Sequence, residues 1–286
     1  MRFLVIMAAL ALPTSAWCAA PSFPARQVGD IFEIRHEYQS EDQTDDGSSS
    51  GSSGSNHDRR ASDWRSRDGL ELEYDFPKDS TEEDRSREWQ FPAHIFRPFR
   101  GAPQLLNRAD LEARIDVWLK RWKIGRETCG KWIFTWNAFK IECDPQSVIT
   151  SLEQYNLWVP ELAEGTPYRT PQAREAAPLK RLAGSIPASF VAQLIVDPDK
   201  LRQEQAEADV IVSQMIGKPQ TLDEALRARS SETASGSVIV TFDTDGSGRV
   251  RQRTEVVKLT IRGPDGKVET KRRTEKVERR RLGGPN

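Results

Sequence analysis

The chain has 286 residues, enough for one large domain or two smaller ones. With 37% hydrophobic and 30% charged residues, it can bury a core beneath a heavily charged surface. The net charge is −1, but it is unevenly distributed. Residues 30–88 hold 18 acidic and 8 basic side chains, whereas residues 246–286 hold 13 basic and 5 acidic ones.

Residues 1–20 have the layout of a secretory signal peptide. Arg2 precedes an apolar run over residues 3–12, Pro13 follows, and small residues then offer cleavage points within residues 16–20. No later apolar run is long enough to span a membrane. We therefore predict a soluble exported protein, periplasmic or extracellular, that does not cross the membrane.

The first strand is predicted where Phe32, Ile34, His36 and Tyr38 alternate with charged residues. Residues 41–56 carry no apolar side chain, so we predict a disordered Ser/Gly loop over residues 41–60. A hairpin about Asp68 and Gly69 follows, because two alternating segments flank this turn signal.

Helices are predicted next in the chain. Residues 79–89 read as a short helix with a capping box of Ser80 and Glu83. A strand is expected around residues 93–97, and Asn107 is expected to cap a longer helix. The apolar face of that helix is predicted to contain Leu111, Ile115, Trp118 or Leu119, and Trp122.

Cys129 and Cys143 bracket a predicted hairpin with its loop at residues 135–137. In that register position 129 lies directly opposite position 143, where the two Cβ atoms are close enough to be bridged. A redox pair would favour Cys-x-x-Cys, and a zinc site would need two further ligands. The register therefore predicts a structural disulfide, ahead of free thiols or a metal or redox site.

The same hairpin carries aromatic residues on both faces. Trp132 and Phe134 lie on the face away from the cysteines, and Trp136 is at the tip. Two interpretations stay open. The three side chains are buried in the fold, or they contact an apolar ligand, a sugar or a membrane surface.

The second half of the chain repeats the same kinds of element. Asp144 and Pro145 are expected to begin a helix, and residues 161–187 to form a connector. A strand over residues 188–196 precedes a helix that starts at Asp197 and ends at Gly217. A capping box of Thr221 and Glu224 begins another helix.

A basic three-stranded meander is predicted for the end of the chain, with turns at residues 243–248 and 263–266. We consider five of its arginines as contacts for an anionic surface: Arg272, Arg273, Arg279, Arg280 and Arg281. Three interpretations stay open. The meander pairs with the acidic N-terminal region, meets an anionic surface, or is a solvated sheet.

Recognisable catalytic and metal-binding motifs are absent from the sequence. His36, His57 and His94 lack metal-ligand spacing, and we predict no metal site and no cofactor. The turn at residues 243–248 resembles the start of a calcium loop, but Thr254 occupies the twelfth position and strands flank it. Export and the absence of a binding motif argue against a nucleic-acid partner.

The elements together predict an α+β fold, in which antiparallel β-meanders form a half-barrel or curved sheet packed with short helices. Residues 21–160 and 188–286 form two lobes if the sheet is divided. This layout is loosely similar to half-barrel periplasmic carriers of lipoproteins or lipids, a resemblance of architecture alone.

Three functional hypotheses follow. The first is a non-enzymatic protein that binds a hydrophobic ligand or a cell-envelope component, such as a lipid, and it is favoured by a large apolar cavity. The second is a protein-interaction or scaffold module that uses the two charged regions, favoured by a charged surface over a filled core. The third is a hydrolase, favoured by two close carboxylates of different burial.

Overall fold

The structure, a computed structural model, describes residues 31–65, 68–134, 138–157, 159 and 161–282. The strands in chain order are β1 (Ile31–Thr44), β2 (Ser49–Arg65), β3 (Gly69–Asp75), β4 (Ala93–Pro98), β5 (Gln104–Leu105), β6 (Trp132–Phe134), β7 (Ala138–Lys140), β8 (Pro167–Tyr168), β9 (Ala177–Pro178), β10 (Lys180–Arg181), β11 (Ser189–Ile195), β12 (Thr233–Thr244), β13 (Val250–Arg262) and β14 (Val268–Leu282). The helices are α1 (Glu82–Arg87), α2 (Arg108–Arg121), α3 (Ser147–Glu153), α4 (Pro198–Met215) and α5 (Leu222–Ala228). The signal-peptide prediction for residues 1–20 lies outside the described residues.

One antiparallel sheet of ten strands organises the fold, in the order β10-β11-β12-β13-β14-β1-β2-β3-β4-β5. The β6–β7 and β8–β9 hairpins stand apart from it. β14 pairs with β1 along the whole length of β1, so strands from both predicted lobes belong to a single sheet. The predicted α+β class with antiparallel meanders is confirmed.

The predicted helix signals are confirmed in the second half of the chain. Asp197 caps α4 by accepting a hydrogen bond from the Asp199 N–H at 3.1 Å, and Gly217 ends the helix with φ +71°. In α5, the side chains of Thr221 and Glu224 accept hydrogen bonds from each other's N–H groups. These ends form locally because the capping side chains satisfy N–H groups that the helix leaves unpaired.

Four helix predictions need correction. The capping box of α1 is Thr81 with Asp84, one residue later than predicted, because the threonine hydroxyl meets the Asp84 N–H at 3.1 Å. The helix after Asp144 begins only at Ser147. Trp122, predicted on the buried face, is 52% exposed because α2 ends before it.

The fourth correction concerns Asn107. It occupies the N-cap position of α2, but its side chain forms no capping hydrogen bond. Its amide instead accepts a hydrogen bond from the His94 N–H and donates one to the Pro92 carbonyl, both at 2.9 Å. The residue therefore ties α2 to the start of β4.

The predicted disordered loop over residues 41–60 is wrong. β1 continues to Thr44, β2 begins at Ser49, and the two strands pair throughout. The turn between them is well specified, because Asp46 accepts hydrogen bonds from the Thr44 hydroxyl at 2.5 Å and the Ser48 N–H at 2.9 Å, and Gly47 has φ +86°. Main-chain pairing to β1, which β14 supports on its other side, orders a segment that lacks apolar side chains.

The core lies on one face of the sheet, which we call the inner face. It contains Ile34, Leu72, Val240 and other side chains that are almost fully buried. α2 covers part of it with its Leu111, Ile115 and Leu119, and α3 with Val148, Ile149 and Leu152. The opposite side of the sheet is the outer face.

Two parts of the sheet differ in how they are supported. The proximal part consists of residues 31–38, 69–98, 189–195, 238–256 and 274–282, and most of its inner face contacts the core. The distal end consists of residues 39–54, 233–237 and 257–273, where β1, β2, β12, β13 and β14 extend further than β3 and β11. The candidate site lies on this distal end.

Candidate functional site

A trough of about 800 Å³ lies at the distal end, lined by three consecutive residues from each of β12, β13, β14, β1 and β2. One row of the lining lies on the outer face, where Ser237, Lys258, Arg272 and Glu41 are successive cross-strand neighbours. Leu259, Lys271 and Asp42, which also line the trough, belong to the inner face. A second row contains the opposed pair Thr260 and Thr270. Hydroxyl and charged groups therefore form most of the trough.

Two cations face each other at the centre of the trough. Lys258 and Arg272 are direct partners on neighbouring strands, and both are exposed. Like charges at directly opposed positions destabilise an antiparallel pair. Glu41 is opposed to Arg272 on the other side, but its carboxylate accepts a hydrogen bond from the Gln39 amide at 2.8 Å.

Other cations of this face are paired with carboxylates. Lys276 lies 3.1 Å from Glu278 and 3.7 Å from Glu37, and Arg280 lies 3.5 Å from Glu33. Neither Lys258 nor Arg272 forms an ion pair among residues 31–65, 68–134, 138–157, 159 and 161–282. Lys258 and Arg272 are thus cations of the trough without an ion pair among the described residues, although the carboxylates of Glu41 and Asp42 also line it.

A second depression of about 460 Å³ lies between the distal end, α4 and α5. Its main cation, Arg229, contacts Asp209 at 2.6 and 2.9 Å and Glu232 at 2.7 Å. These carboxylates raise the pKa of the Arg229 guanidinium. Because its charges are satisfied internally, this depression is a weaker candidate than the trough.

The five predicted contact arginines do not form one patch. Arg272 lines the trough on the outer face, whereas Arg273 points to the inner face and pairs with Glu275. Arg280 is on the outer face and pairs with Glu33. The pairing of β14 with β1 shows that the basic meander contacts the acidic N-terminal region of the same chain.

Arg279 and Arg281 belong to the inner side of β14. Arg279 is 9% exposed, lies over the Phe32 ring at 5.1 Å and contacts Asp245 at 3.3 Å. Arg281 is opposite Phe32 in the register. Arg279 is therefore built into the fold, and of the five arginines only Arg272 lies in the trough.

The predicted disulfide is confirmed. Cys129 and Cys143 are bonded, with their Cα atoms 5.6 Å apart. The predicted register also holds, since Trp132 faces Lys140 and Ile133 faces Phe139. Both cysteines pack against the core, so the bridge fastens the β6–β7 hairpin to the body of the protein.

The aromatic contact prediction stays open. Trp132 is partly buried, while the Phe134 side chain and Trp136 lie outside the described part of the molecule. On the cysteine face Ile141 is buried, but Phe139 is 46% exposed. The hairpin therefore presents some apolar surface without a cavity that the described residues define.

Two opposed carboxylates lie on the inner face, at Glu255 and Glu275. Burial raises the pKa of Glu255, and the charge of Glu275 adds to this rise, whereas Arg253 and Arg273 act against it. Arg253 is held by the carbonyl groups of Gln154 at 2.7 Å and Asn156 at 3.3 Å. Both carboxylates thus lie among the protein's own cations, and we assign no reaction to them.

His36 borders this cluster. Its imidazole lies 5.4 Å from the Tyr155 ring, and its Nδ1 is buried without a hydrogen-bond partner in the described part of the chain. Burial lowers the pKa of His36, and the charge of Glu275 opposes this effect. His36 is half-buried and has no metal-ligand neighbours among the described residues, so we assign it a structural role.

Metal and membrane signatures were sought across the described ranges. Among those residues, no group of three or more His, Cys, Asp or Glu side chains is arranged to hold a metal ion. None of the helices described is long and apolar enough to cross a membrane.

The trough residues other than Arg272 were missed at the sequence level. Lys258, Thr260 and Ser237 carry no motif, and their proximity to Arg272 depends on the register of three strands. The available signal was the alternation along β13 and β14. It places Lys258 and Thr260 on the same face of β13, and Thr270 and Arg272 on the same face of β14.

Comparison with known proteins does not identify the chain. No family model matches it, and the search of curated proteins finds no match. Among solved structures, one of lipovitellin, which describes lipid–protein interactions in that protein, aligns with 91% of this chain at 8% identity and a TM-score of 0.37. This chain corresponds to 26% of the length of the lipovitellin chain. A similarity this low assigns neither a family nor a function, so the chain is defined by its own features: an α+β fold on antiparallel sheet, with one disulfide.

Proposed function

We propose that this protein is an exported, non-enzymatic binding protein whose ligand occupies the trough at the distal end. The ligand is an anionic, hydroxyl-rich molecule of the cell envelope, with a phosphate ester on a sugar or polyol. One observation carries the proposal: Lys258 and Arg272 are opposed, exposed and without ion pairs among the described residues, in a trough lined by hydroxyl groups.

The charge pair favours an anion. Two cations at opposed strand positions repel each other, and a shared phosphate would turn this repulsion into attraction for both. Arginine can donate two parallel hydrogen bonds to phosphate oxygens, and lysine adds a compact charge beside it. The Lys258 and Arg272 side chains supply both types of donor.

The remaining lining favours a polar body on the ligand. The hydroxyls of Ser237 and Thr260 can donate and accept hydrogen bonds, and that of Thr270, which donates to the Gln43 carbonyl at 3.3 Å, can accept. Their arrangement in two rows next to the cations matches a polyol better than an acyl chain. The main apolar cluster lies in the core of the proximal part and is packed against helices, and Leu259 is the one large apolar side chain in the trough lining. The same chemistry occurs on a soluble sugar phosphate and on a lipid head group.

Export is supported by the disulfide and by the predicted signal peptide. Structural disulfides persist in oxidising compartments and are rare in the cytosol. The Cys129–Cys143 bridge is consistent with such a compartment. The envelope and the extracellular space also contain abundant phosphorylated glycans and anionic lipid head groups.

The test compares Lys258→Ser/Arg272→Ser with a matched control, Lys276→Ser/Arg280→Ser. Both variants lose two positive charges from the outer face of the same sheet, but the control cations are paired with carboxylates. Glucose 1-phosphate is titrated calorimetrically. Vesicles of phosphatidylcholine with and without phosphatidylglycerol are used in flotation assays.

We expect the trough variant to weaken binding by about tenfold or more, since a hydrogen bond to a charged group contributes about 1.5–3 kcal/mol. The control should stay within about twofold, because exposed ion pairs contribute little. Binding of glucose 1-phosphate identifies a soluble ligand, and binding only to anionic vesicles identifies a head group. Equal losses in both variants, or no binding of either probe, would overturn the proposal.

A further inference from the structure

β2 has a long edge that no described strand covers. The strand runs from Ser49 to Arg65, but its pairing with β3 begins only at Arg59, opposite Asp75. Residues 49–58 therefore have β1 on one side and, within the described ranges, no strand on the other. By contrast, the outermost strands β5 and β10 are only two residues long.

The main chain of this edge is directed outwards at regular intervals. At the turn, the Thr44 N–H donates to the Ser48 carbonyl at 2.9 Å. Alternation of hydrogen-bonded and non-bonded pairs along an antiparallel ladder then points the N–H and C=O groups of Gly51, Ser53 and Ser55 away from β1. Such a row of groups is a template for another extended strand.

The composition of the edge suits a second copy of the same edge. Residues 49–57 contain no Lys, Arg, Asp, Glu or Pro, the residues that commonly protect exposed edges. When residues 49–57 pair with themselves in the antiparallel sense, the outward-directed Ser53 falls opposite its own copy and His57 opposite Ser49, so no two carboxylates or two Lys or Arg side chains meet. Gly51, Ser53 and Ser55 are exposed, and a glycine and two serines leave room for close approach of a second strand.

We infer that the protein forms a two-fold symmetric dimer by pairing residues 49–57 of β2 with the same residues of a second copy. Two-fold dimers are the commonest homo-oligomers, and antiparallel self-pairing of one edge satisfies that symmetry. The two sheets become one continuous sheet, with both outer faces on the same side.

Dimerisation has a consequence that rests on the proposed function. Arg272 lies two strands from β2, so a strand spacing of about 4.8 Å and the offset along the strands place the two troughs roughly 30 Å apart. Both troughs open on one face. A polyanionic surface can therefore occupy both at once, which raises its effective affinity without a new contact.

The first test is sedimentation velocity of the purified, disulfide-intact protein over a range of concentrations, without ligand. Wild type is expected to dimerise. Ser53→Pro is expected to be monomeric, because it removes an outward N–H and leaves the pairing with β1 intact. Ser53→Ala keeps the N–H and should dimerise as wild type does.

The second test guards against misfolding of the proline variant. Position 53 lies close to the proposed axis, so Ser53→Lys and Ser53→Glu should each be monomeric by repulsion between like charges. An equimolar mixture of the two should form heterodimers. Thermal unfolding of each monomer should remain close to that of wild type.

Two results would overturn the dimer: a wild-type protein that is monomeric at every concentration, or dimers that persist in the proline, lysine and glutamate variants alike. Because these measurements use no ligand, they are independent of the trough. A wild-type protein that stays monomeric but binds in a Lys258-dependent way would refute only the dimer, and a dimeric wild type without Lys258-dependent binding would refute only the proposed ligand.

Discussion

The proximal part and the distal end of the sheet use the same strands in different ways. Along β12, Val238, Val240 and Phe242 are at most 1% exposed, whereas Ser235 and Ser237 of the same strand line the trough. The proximal part is held mainly by burial of apolar side chains, and the distal end by main-chain pairing, a well-formed turn and a few core contacts, among them the buried Ile261. Several strands are therefore longer than the core requires.

This difference shows which part of the sheet can keep opposed charged residues at a low cost in stability. Charges opposed across strands would be costly in the proximal part, where most inner-face side chains are desolvated. At the distal end both Lys258 and Arg272 remain in water, so their repulsion is modest. The extension of the strands beyond the core thus provides a surface on which an unfavourable arrangement can be kept for binding.

The largest expected effect tests the proximal part. Phe242 is 1% exposed and packs edge-on against Tyr168, with ring centroids 5.1 Å apart. Phe242→Ala should lower the free energy of unfolding by about 3–5 kcal/mol, through lost burial and the cavity that remains. Urea titration followed by tryptophan fluorescence measures this change.

Ser237→Ala is the matched control in the distal part of the same strand. Its effect should stay within about 0.5 kcal/mol, because Ser237 is on the outer face and buries no apolar group. Similar losses in both variants would contradict the distinction between the two parts.

The disulfide should give the next largest effect. The bond joins residues separated by 14 positions, and closing a loop of this size contributes about 3 kcal/mol. Cys129→Ser/Cys143→Ser should therefore lower the free energy of unfolding by about that amount, and it should unfold at a lower urea concentration. Because the β6–β7 hairpin is not part of the ten-stranded sheet, binding at the trough should be unchanged in the folded variant. A loss of binding without a loss of stability would be inconsistent with this role.

Glu255 lies at the border between the two parts. Its replacement should raise the free energy of unfolding at neutral pH, unlike the two substitutions above, and the gain should depend on pH. Its pKa is raised above the ordinary 4.5, mainly by burial, so the native state favours the protonated form. The stabilisation from this protonated carboxyl is complete below the ordinary value and is lost as pH rises through the folded pKa. Glu255→Gln should therefore be more stable than wild type at neutral pH.

The comparison is made by repeating the unfolding titration from acidic to neutral pH. The advantage of Glu255→Gln should shrink as the pH falls towards 4.5, the value at which the ordinary carboxyl titrates. Glu275→Gln serves as the control at the opposed position. A variant less stable than wild type at neutral pH would show that Arg253 and Arg273 outweigh the effect of burial.

The sequence predicted the proximal part better than the distal end, for a physical reason. Alternation of apolar and charged residues identified β1, β3 and β11, because burial of one face imposes a period of two. The register of the β6–β7 hairpin followed from turn length and gave the disulfide. Apolar alternation is absent over residues 41–56, where both faces of the strands are polar, so burial does not reveal the strands there.

The misassigned loop over residues 41–60 shows the limit. Composition suggested disorder, although Asp46-Gly47 is a recognised hairpin signal. The tract is ordered by partners distant in sequence, since β14 pairs with β1 through contacts such as Asp42 with Lys271. Pairing of the first and last strands is not readable from local patterns.

The trough was only partly predictable. Arg272 was proposed as an anion contact, but Lys258 became its partner only through the observed register of β13 and β14. A slip of one residue in that register would place Lys258 opposite Lys271 and turn a different side chain of β14 towards the trough. The site therefore depends on tertiary pairing rather than on a motif.

The smallest expected effect on stability is also the sharpest test of the trough. In Lys258→Thr, the repulsion with Arg272 is removed and a residue with higher strand propensity is introduced. The free energy of unfolding should therefore stay unchanged or rise by about 0.2–1 kcal/mol, while affinity for the phosphate probe falls. Lys276→Thr, on the neighbouring strand, is the control, because it removes a lysine already paired with Glu278 and should not be stabilising. A Lys258→Thr variant that loses stability would mean that Lys258 supports the sheet. The opposed cations would then be part of the fold, and their retention at a strained position would no longer point to a bound anion.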